Sequence, residues 1–298
     1  IFVSPFLCSF LFGNLFVFFQ FQGQEIIGAD TRLMVFSILT AVGSLGVLTM
    51  FFLPKPSGSS DAGRVDKTGS PSQELKKSFQ LFFTKKMMLL SATFFYTGLE
   101  LSFFSGVYSA CISFTLRFED SKKLVGLSGI FIGCGEILGG AVFGIFGKKT
   151  IKAGRDPIIL LGYLVHSVCY FLIFMNLPSA SPLGDTYDPS LFDQGMPSAV
   201  VAMLCSFLLG FGDACYNTQI YSLLGDVYAS NSGPAFALFK FTQSLAAAAC
   251  FFYASVLELN YHLLILVVTS AIGTLSFCCV EWKEYAKSRS RIDTVAFD

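Results

Sequence analysis

The chain has 298 residues, 53% of them hydrophobic and 13% charged, with a formal net charge of zero and a mean hydropathy of +0.65. A soluble domain carries about 25% charged residues, so this composition excludes an ordinary soluble protein and points to a polytopic membrane protein. Zero net charge removes any global attraction to nucleic acid. The nine cysteines lie mostly inside apolar runs, none with His at zinc spacing, and read as small hydrophobes rather than disulfides or metal ligands.

A membrane-crossing helix needs about 20 mostly apolar residues. Eight runs meet that length: 1–21, 33–53, 88–114, 124–146, 157–177, 198–224, 234–258 and 262–282. Their length predicts helices rather than barrel strands, hence an all-α membrane helix bundle. The first run opens at Ile1 with no Met and no basic segment before it, which suggests either a processed N-terminus or a fragment; a fragment is the favoured expectation. After the second run, "PKPSGSSDAGRVDKTGSPSQ" over 54–73 lacks apolar periodicity and predicts a flexible linker. The following "ELKKSFQLFFTKK" puts Leu75, Phe79 and Phe82 on one helical face. It suits either a short helix lying on the membrane surface or the entry of span three. The expected organisation is 1–53 (two spans), 54–86 (linker with the short helix), 87–282 (six-span bundle) and 283–298 (tail).

Span three places Thr93, Thr97, Glu100, Phe104 and Tyr108 on one face, with Glu100 near mid-span. A carboxylate there costs about 2.5–3.5 kcal/mol or more unless it is paired, hydrated or protonated. In span four, Gly129, Gly133, Glu136, Gly140 and Gly144 follow helical steps of three and four. Small-residue stripes let membrane helices approach closely. Glu136 therefore marks either a packing seam with one bonded polar group or a transport path. Span five contributes His166, either a hydrogen-bonded packing residue or a proton relay. Span six carries the polar stripe Ser206, Gly210, Asp213, Asn217 and Tyr221, which reads as one wall of an aqueous cavity. Span seven supplies the only membrane-depth cation, Lys240, followed on its face by Gln243 and Ser244. Lys240 either snorkels outward or pairs with an acid. Three acids and one base leave two carboxylates without a cationic partner. A proton-coupled carrier requires such an acid, one that loads and releases H⁺ as access alternates.

Lys and Arg divide unequally between alternate loops. One side holds Lys55, Arg64, Lys67, Lys76, Lys77, Lys85 and Lys86, then Lys148, Lys149, Lys152 and Arg155, then Lys283, Lys287, Arg289 and Arg291. The other holds Arg32, Arg117, Lys122 and Lys123, so the ratio is fifteen to four. Positive charge accumulates on the cytosolic side, which predicts a cytosolic long loop and cytosolic chain ends. Phosphate-loop, HExxH, GxSxG, CxxC and TVGYG motifs are absent. Neither an enzyme nor a cofactor or metal is expected.

The stretches "LFGNLFVFF", "YTGLELSFFSGVY", "LSGIFIGCGEILGG", "LCSFLLGFGDACYNTQ" and "PAFALFKFTQS" resemble the uncoordinated-93-like branch of the major facilitator superfamily across essentially the whole chain. That resemblance implies twelve spans in two six-helix bundles joined by a cytosolic loop, about eight of which are in this chain, so that it is N-terminally incomplete. The branch includes solute carriers; together with the three buried acids this gives the expectation of a proton-linked secondary carrier of a small solute, with Glu100, Glu136, Asp213, Asn217 and Lys240 along its path. The alternative is an accessory protein that regulates or escorts other membrane proteins such as ion channels. The expected partners are the lipid bilayer, a small solute, protons, and possible contacts with another membrane protein. The superfamily's gating-loop motif resembles "GIFGKKTIKAGRDP" through Gly144, Lys148, Lys149, Gly154 and Arg155, but its acidic member is missing and the spacing is longer. The departure weakens the expectation of an ordinary gating charge relay.

Overall fold

The computed structural model describes residues 28–52, 71–145, 154–192 and 197–295, with five helical positions between 13 and 20. Most of the expected first span, residues 54–70 of the expected linker and Lys148, Lys149 and Lys152 lie outside the described residues, while 71–73, expected as the end of the flexible stretch, are already helical. The helices are α1 (Ala29–Met50), α2 (Pro71–Phe82), α3 (Lys85–Phe114), α4 (Ser121–Ile145), α5 (Asp156–Asn176), α6 (Ala199–Val227), α7 (Ser232–Ala254) and α8 (Leu259–Val295). Seven stretches among the described residues are long and apolar enough to cross a membrane. The molecule is an all-α polytopic helix bundle.

Local signals set the ends of these helices. The Thr84 hydroxyl accepts the Met87 N–H at the start of α3, and Ser198 does the same for Val201 at the start of α6. Phe83 and Thr84 separate α2 from α3, so the segment 71–82 is a helix of its own. Pro157 occupies the first turn of α5, where its missing N–H costs nothing. At the other end of α5, the Asn176 side chain donates to the Ser198 carbonyl (3.0 Å) and accepts the Ser198 N–H (2.7 Å), fixing the turn into α6.

Helix α3 is not uniform. Residues Phe103–Tyr108 form a π-helical segment, and the hydroxyl of Ser109 just after it donates to the Phe104 carbonyl. One wide turn shifts the register of everything beyond it. It delivers the Tyr108 hydroxyl to the Ala202 carbonyl on α6 at 2.7 Å.

In the bundle α6 packs against α4 and α5, α3 against α7 and α8, and α5 against α8. The α4–α6 crossing is close because it is made by backbone. A Cβ at Gly135 would collide with the Phe207 carbonyl oxygen, and one at Gly210 with the Ile132 carbonyl oxygen. The Ser128 and Ser206 hydroxyls bond across the same crossing at 2.8 Å. The glycines seen against α6 are Gly135 and Gly139, which lie outside the expected stripe, and Gly144 of that stripe is exposed, where a Cβ would meet nothing. The expected cavity wall on span six is corrected too, since Ser206 and Gly210 are buried in the α4 seam rather than lining open space. In helix α1 Val35 is buried and nearly all the other described side chains are exposed.

Candidate functional site

Glu100 on α3, Glu136 on α4 and Asp213 on α6 are 1%, 4% and 8% exposed. Asp213 and, more weakly, Glu136 stand close enough to Glu100 to act on its charge, and Asp213 acts likewise on Glu136. Each acid follows a glycine that lets a neighbour in. Gly98 admits the Gln243 backbone of α7, Gly135 admits α6, and Gly212 leaves room for the His166 ring of α5. The glycines therefore bring the helices together where the acids are. Asn217, one turn beyond Asp213, donates to its Oδ1 at 2.6 Å. Both oxygens of Glu100 and Oε2 of Glu136 accept no hydrogen bond from a described N–H or hydroxyl, and the Asp213 carboxyl lies within hydrogen-bonding reach of Glu100.

Lys240 is exposed on α7. Its Nζ donates to Gln243 Oε1 at 2.8 Å and lies over the Phe239 and Tyr221 rings, 4.7 and 5.6 Å from their centroids. It makes no ion pair with an acid among the described residues, although Asp213 feels its charge. Gln243 in turn donates to Thr97 Oγ1 at 3.4 Å, carrying the polar line from the exposed ammonium back to α3.

His166 is a network node. Its Nδ1 is 2.5 Å from Tyr96 Oη, and Tyr96 Oη is 2.9 Å from Tyr170 Oη. Its Nε2 faces the Leu209 carbonyl at 3.2 Å and Glu100 Oε1 at 3.5 Å. Tyr216 stacks on the ring at 5.7 Å with a 12° tilt, and bonds Thr274 of α8 at 2.6 Å. Sequence reasoning missed the three tyrosines. The available signal was spacing, because Tyr96 precedes Glu100 and Tyr170 follows His166 by one helical turn each.

At the end of the bundle formed by the start of α5 and the end of α6, Arg155 is 4% exposed. Its NH1 donates to both oxygens of Glu281 at 3.3 and 3.1 Å, its NH2 to Asp226 at 2.7 Å and its Nε to Ser222 at 3.0 Å. Gly154 before it takes φ +97°, a left-handed conformation suited to glycine. Arg155 is thus paired with acids that arrive from α6 and α8. Lys86 and Glu284 form a neighbouring ion pair between α3 and α8. Among the described residues no group of three or more His, Cys, Asp and Glu has the geometry to hold a metal ion.

A sequence profile described as "Ion channel regulatory protein UNC-93" matches residues 1–278. The chain belongs to the UNC-93 family. The UNC93-like protein MFSD11 of Xenopus tropicalis is 44% identical over 291 residues, covering 92% of this chain and 65% of that protein. More distant members are also similar: UNC93-like protein 3 of Arabidopsis thaliana is 26% identical over 278 residues (90% of this chain, 54% of that protein). Protein unc-93 homolog A of Mus musculus is 25% identical over 218 residues (73% and 43%). The chain spans about 65% of the length of the MFSD11 relatives it matches.

Proposed function

We propose that this chain is the larger part of a secondary carrier that moves a small polar solute by alternating access, coupled to protons through Glu100, Glu136 and Asp213. The observation that supports this reading is the convergence of three buried carboxyl groups from three helices, with both Glu100 oxygens and Glu136 Oε2 accepting no hydrogen bond from a described N–H or hydroxyl. A membrane protein does not retain three buried acids for packing, because each is costly at depth. Exposure rises from Glu100 through Asp213 to half-buried Asn217 and exposed Lys240. That gradient gives the acids a route to an opening, where Lys240 meets an anionic group of the solute.

In the same reading the Arg155 end of the bundle is cytosolic, as its Lys and Arg excess implies, and the Arg155–Glu281–Asp226 network clamps α5, α6 and α8 at that face. Helix α2 lies on the membrane surface: Leu75 and Phe79 are 73% and 67% exposed on one side of it, with Lys76 and Lys77 nearby. The test is uptake by the full-length protein in proteoliposomes across an imposed pH gradient. Glu136→Gln and Asp213→Asn each abolish the pH-dependent component while surface expression stays intact; uptake that survives every acid-to-amide change rejects the mechanism.

A second reading, an accessory protein that regulates ion channels, is favoured by the family description itself. Crosslinking that captures a stoichiometric channel partner, together with solute flux that is absent in every condition, would decide for it.

A further inference from the structure

The acids have a fourth member that is not an acid. We infer that His166 is the hydrogen-bond donor that receives the Glu100 carboxylate when Glu100 gives up its proton, and that Tyr96 is the positioning residue that holds His166 in that role. The inference rests on the proton-linked reading above.

The chemistry of the neighbours fixes the ring. The Leu209 carbonyl can only accept, so His166 Nε2 carries a hydrogen. In a neutral ring Nδ1 is then an acceptor, and the Tyr96 hydroxyl fills it. Tyr170 donates to Tyr96 in turn. This leaves Nε2–H aimed between Leu209 and Glu100 Oε1, 3.5 Å away, with small movement needed to shorten the second contact. The ring has little freedom to turn, for Tyr216 and Tyr170 stack on it and Gly212 packs against its Nε2 edge.

Glu100 therefore has two unlike sides. Toward α5 stand His166, Tyr170 and Cys169, all buried. Toward α4 and α6 stand Glu136, Asp213 and Tyr216, and its own helix adds Tyr96. Lys240 of α7 acts on Asp213. Among the described residues α8 contributes Thr274, through Tyr216. A proton leaves Glu100 on the Asp213 side: the Glu100 O–H bond breaks and an O–H bond forms on the Asp213 carboxylate. The negative charge left on Oε1 is met from the other side by Nε2–H. His166 neither gains nor loses a proton in this step.

The test uses infrared spectroscopy of the full-length protein in lipid nanodiscs, following the protonated-carboxyl band that disappears in Glu100→Gln. In the wild-type protein the band titrates with pH. In His166→Leu it persists to a pH at least one unit higher, because the carboxylate has lost its donor. Tyr96→Phe moves it in the same direction, because His166 Nδ1 loses the hydroxyl that holds the ring. His166→Gln, which retains an N–H near the Nε2 position, returns it toward the wild-type midpoint and guards against a folding artefact. Midpoints that coincide in all four proteins overturn the inference and leave the proton-linked reading standing, since that reading is judged by uptake in the acid-to-amide variants. A wild-type band that does not titrate overturns the inference as well.

Discussion

Arg155 and Glu281 bond three times across 126 residues of sequence. The Arg155 backbone N–H donates to Oε1 at 3.0 Å, and its guanidinium spans both carboxylate oxygens. Both side chains are about 4% exposed. Such a pair is costly to desolvate, and removing one partner strands the other.

Glu281→Gln should therefore cost about 3–5 kcal/mol, read as a large drop in the thermal midpoint of the detergent-solubilised protein. Asp226 has a 62% exposed side chain, so Asp226→Asn should cost about 1 kcal/mol or less. Combining Arg155→Met with Glu281→Leu should cost less than the sum of the single changes, because the double variant removes both buried charges whereas each single change strands one. Equal effects at Glu281 and Asp226 would contradict the burial argument.

The α4–α6 seam offers a paired comparison. Gly210→Ala forces a methyl group into the Ile132 carbonyl and should destabilise by about 1–3 kcal/mol. Gly144→Ala enters open space and should change stability by no more than about 0.5 kcal/mol. Thermal unfolding of both variants against the wild-type protein checks the difference.

Lys240 holds Gln243 and two aromatic rings, and shares no ion pair among the described residues. Lys240→Met should leave the thermal midpoint nearly unchanged, since an exposed cation–π contact contributes about 0.5–1 kcal/mol. If Lys240 meets an anionic group of the solute, half-saturation of uptake should rise about tenfold, equivalent to 1.4 kcal/mol. An unchanged half-saturation would remove Lys240 from the path.

The single tryptophan lies beside the clamp. Trp282, one residue after Glu281, donates its Nε1–H to Oδ2 of Asp156, one residue after Arg155, at 3.2 Å. Opening of the clamp changes that contact, so Arg155→Gln should shift the intrinsic emission spectrum. Asp156→Asn should give a smaller shift, because the amide oxygen still accepts. Identical spectra in all three proteins would show that Trp282 does not sense the clamp.

The sequence by itself determined the bundle. Long apolar runs have one stable state in lipid, where every backbone group must be bonded within its own helix, so length and hydropathy suffice to place seven of the described helices. It also singled out Glu100, Glu136 and Asp213, since an ionisable group in an apolar run is conspicuous without knowing its neighbours. What it could not give was which faces meet. A face computed for an ideal helix is blurred by the π-helical turn at Phe103–Tyr108, and the glycine stripe left out the seam glycines Gly135 and Gly139 and ran on to exposed Gly144, because glycine periodicity alone does not say which face a partner helix meets. Arg155 read as a loop cation, and its two acids were invisible because they arrive 71 and 126 residues later. His166 read as solitary, for Tyr96 is 70 residues away and the Leu209 carbonyl carries no side-chain signal. Insertion into a membrane depends on each helix alone; the chemistry of a buried charge depends on what the other helices bring to it.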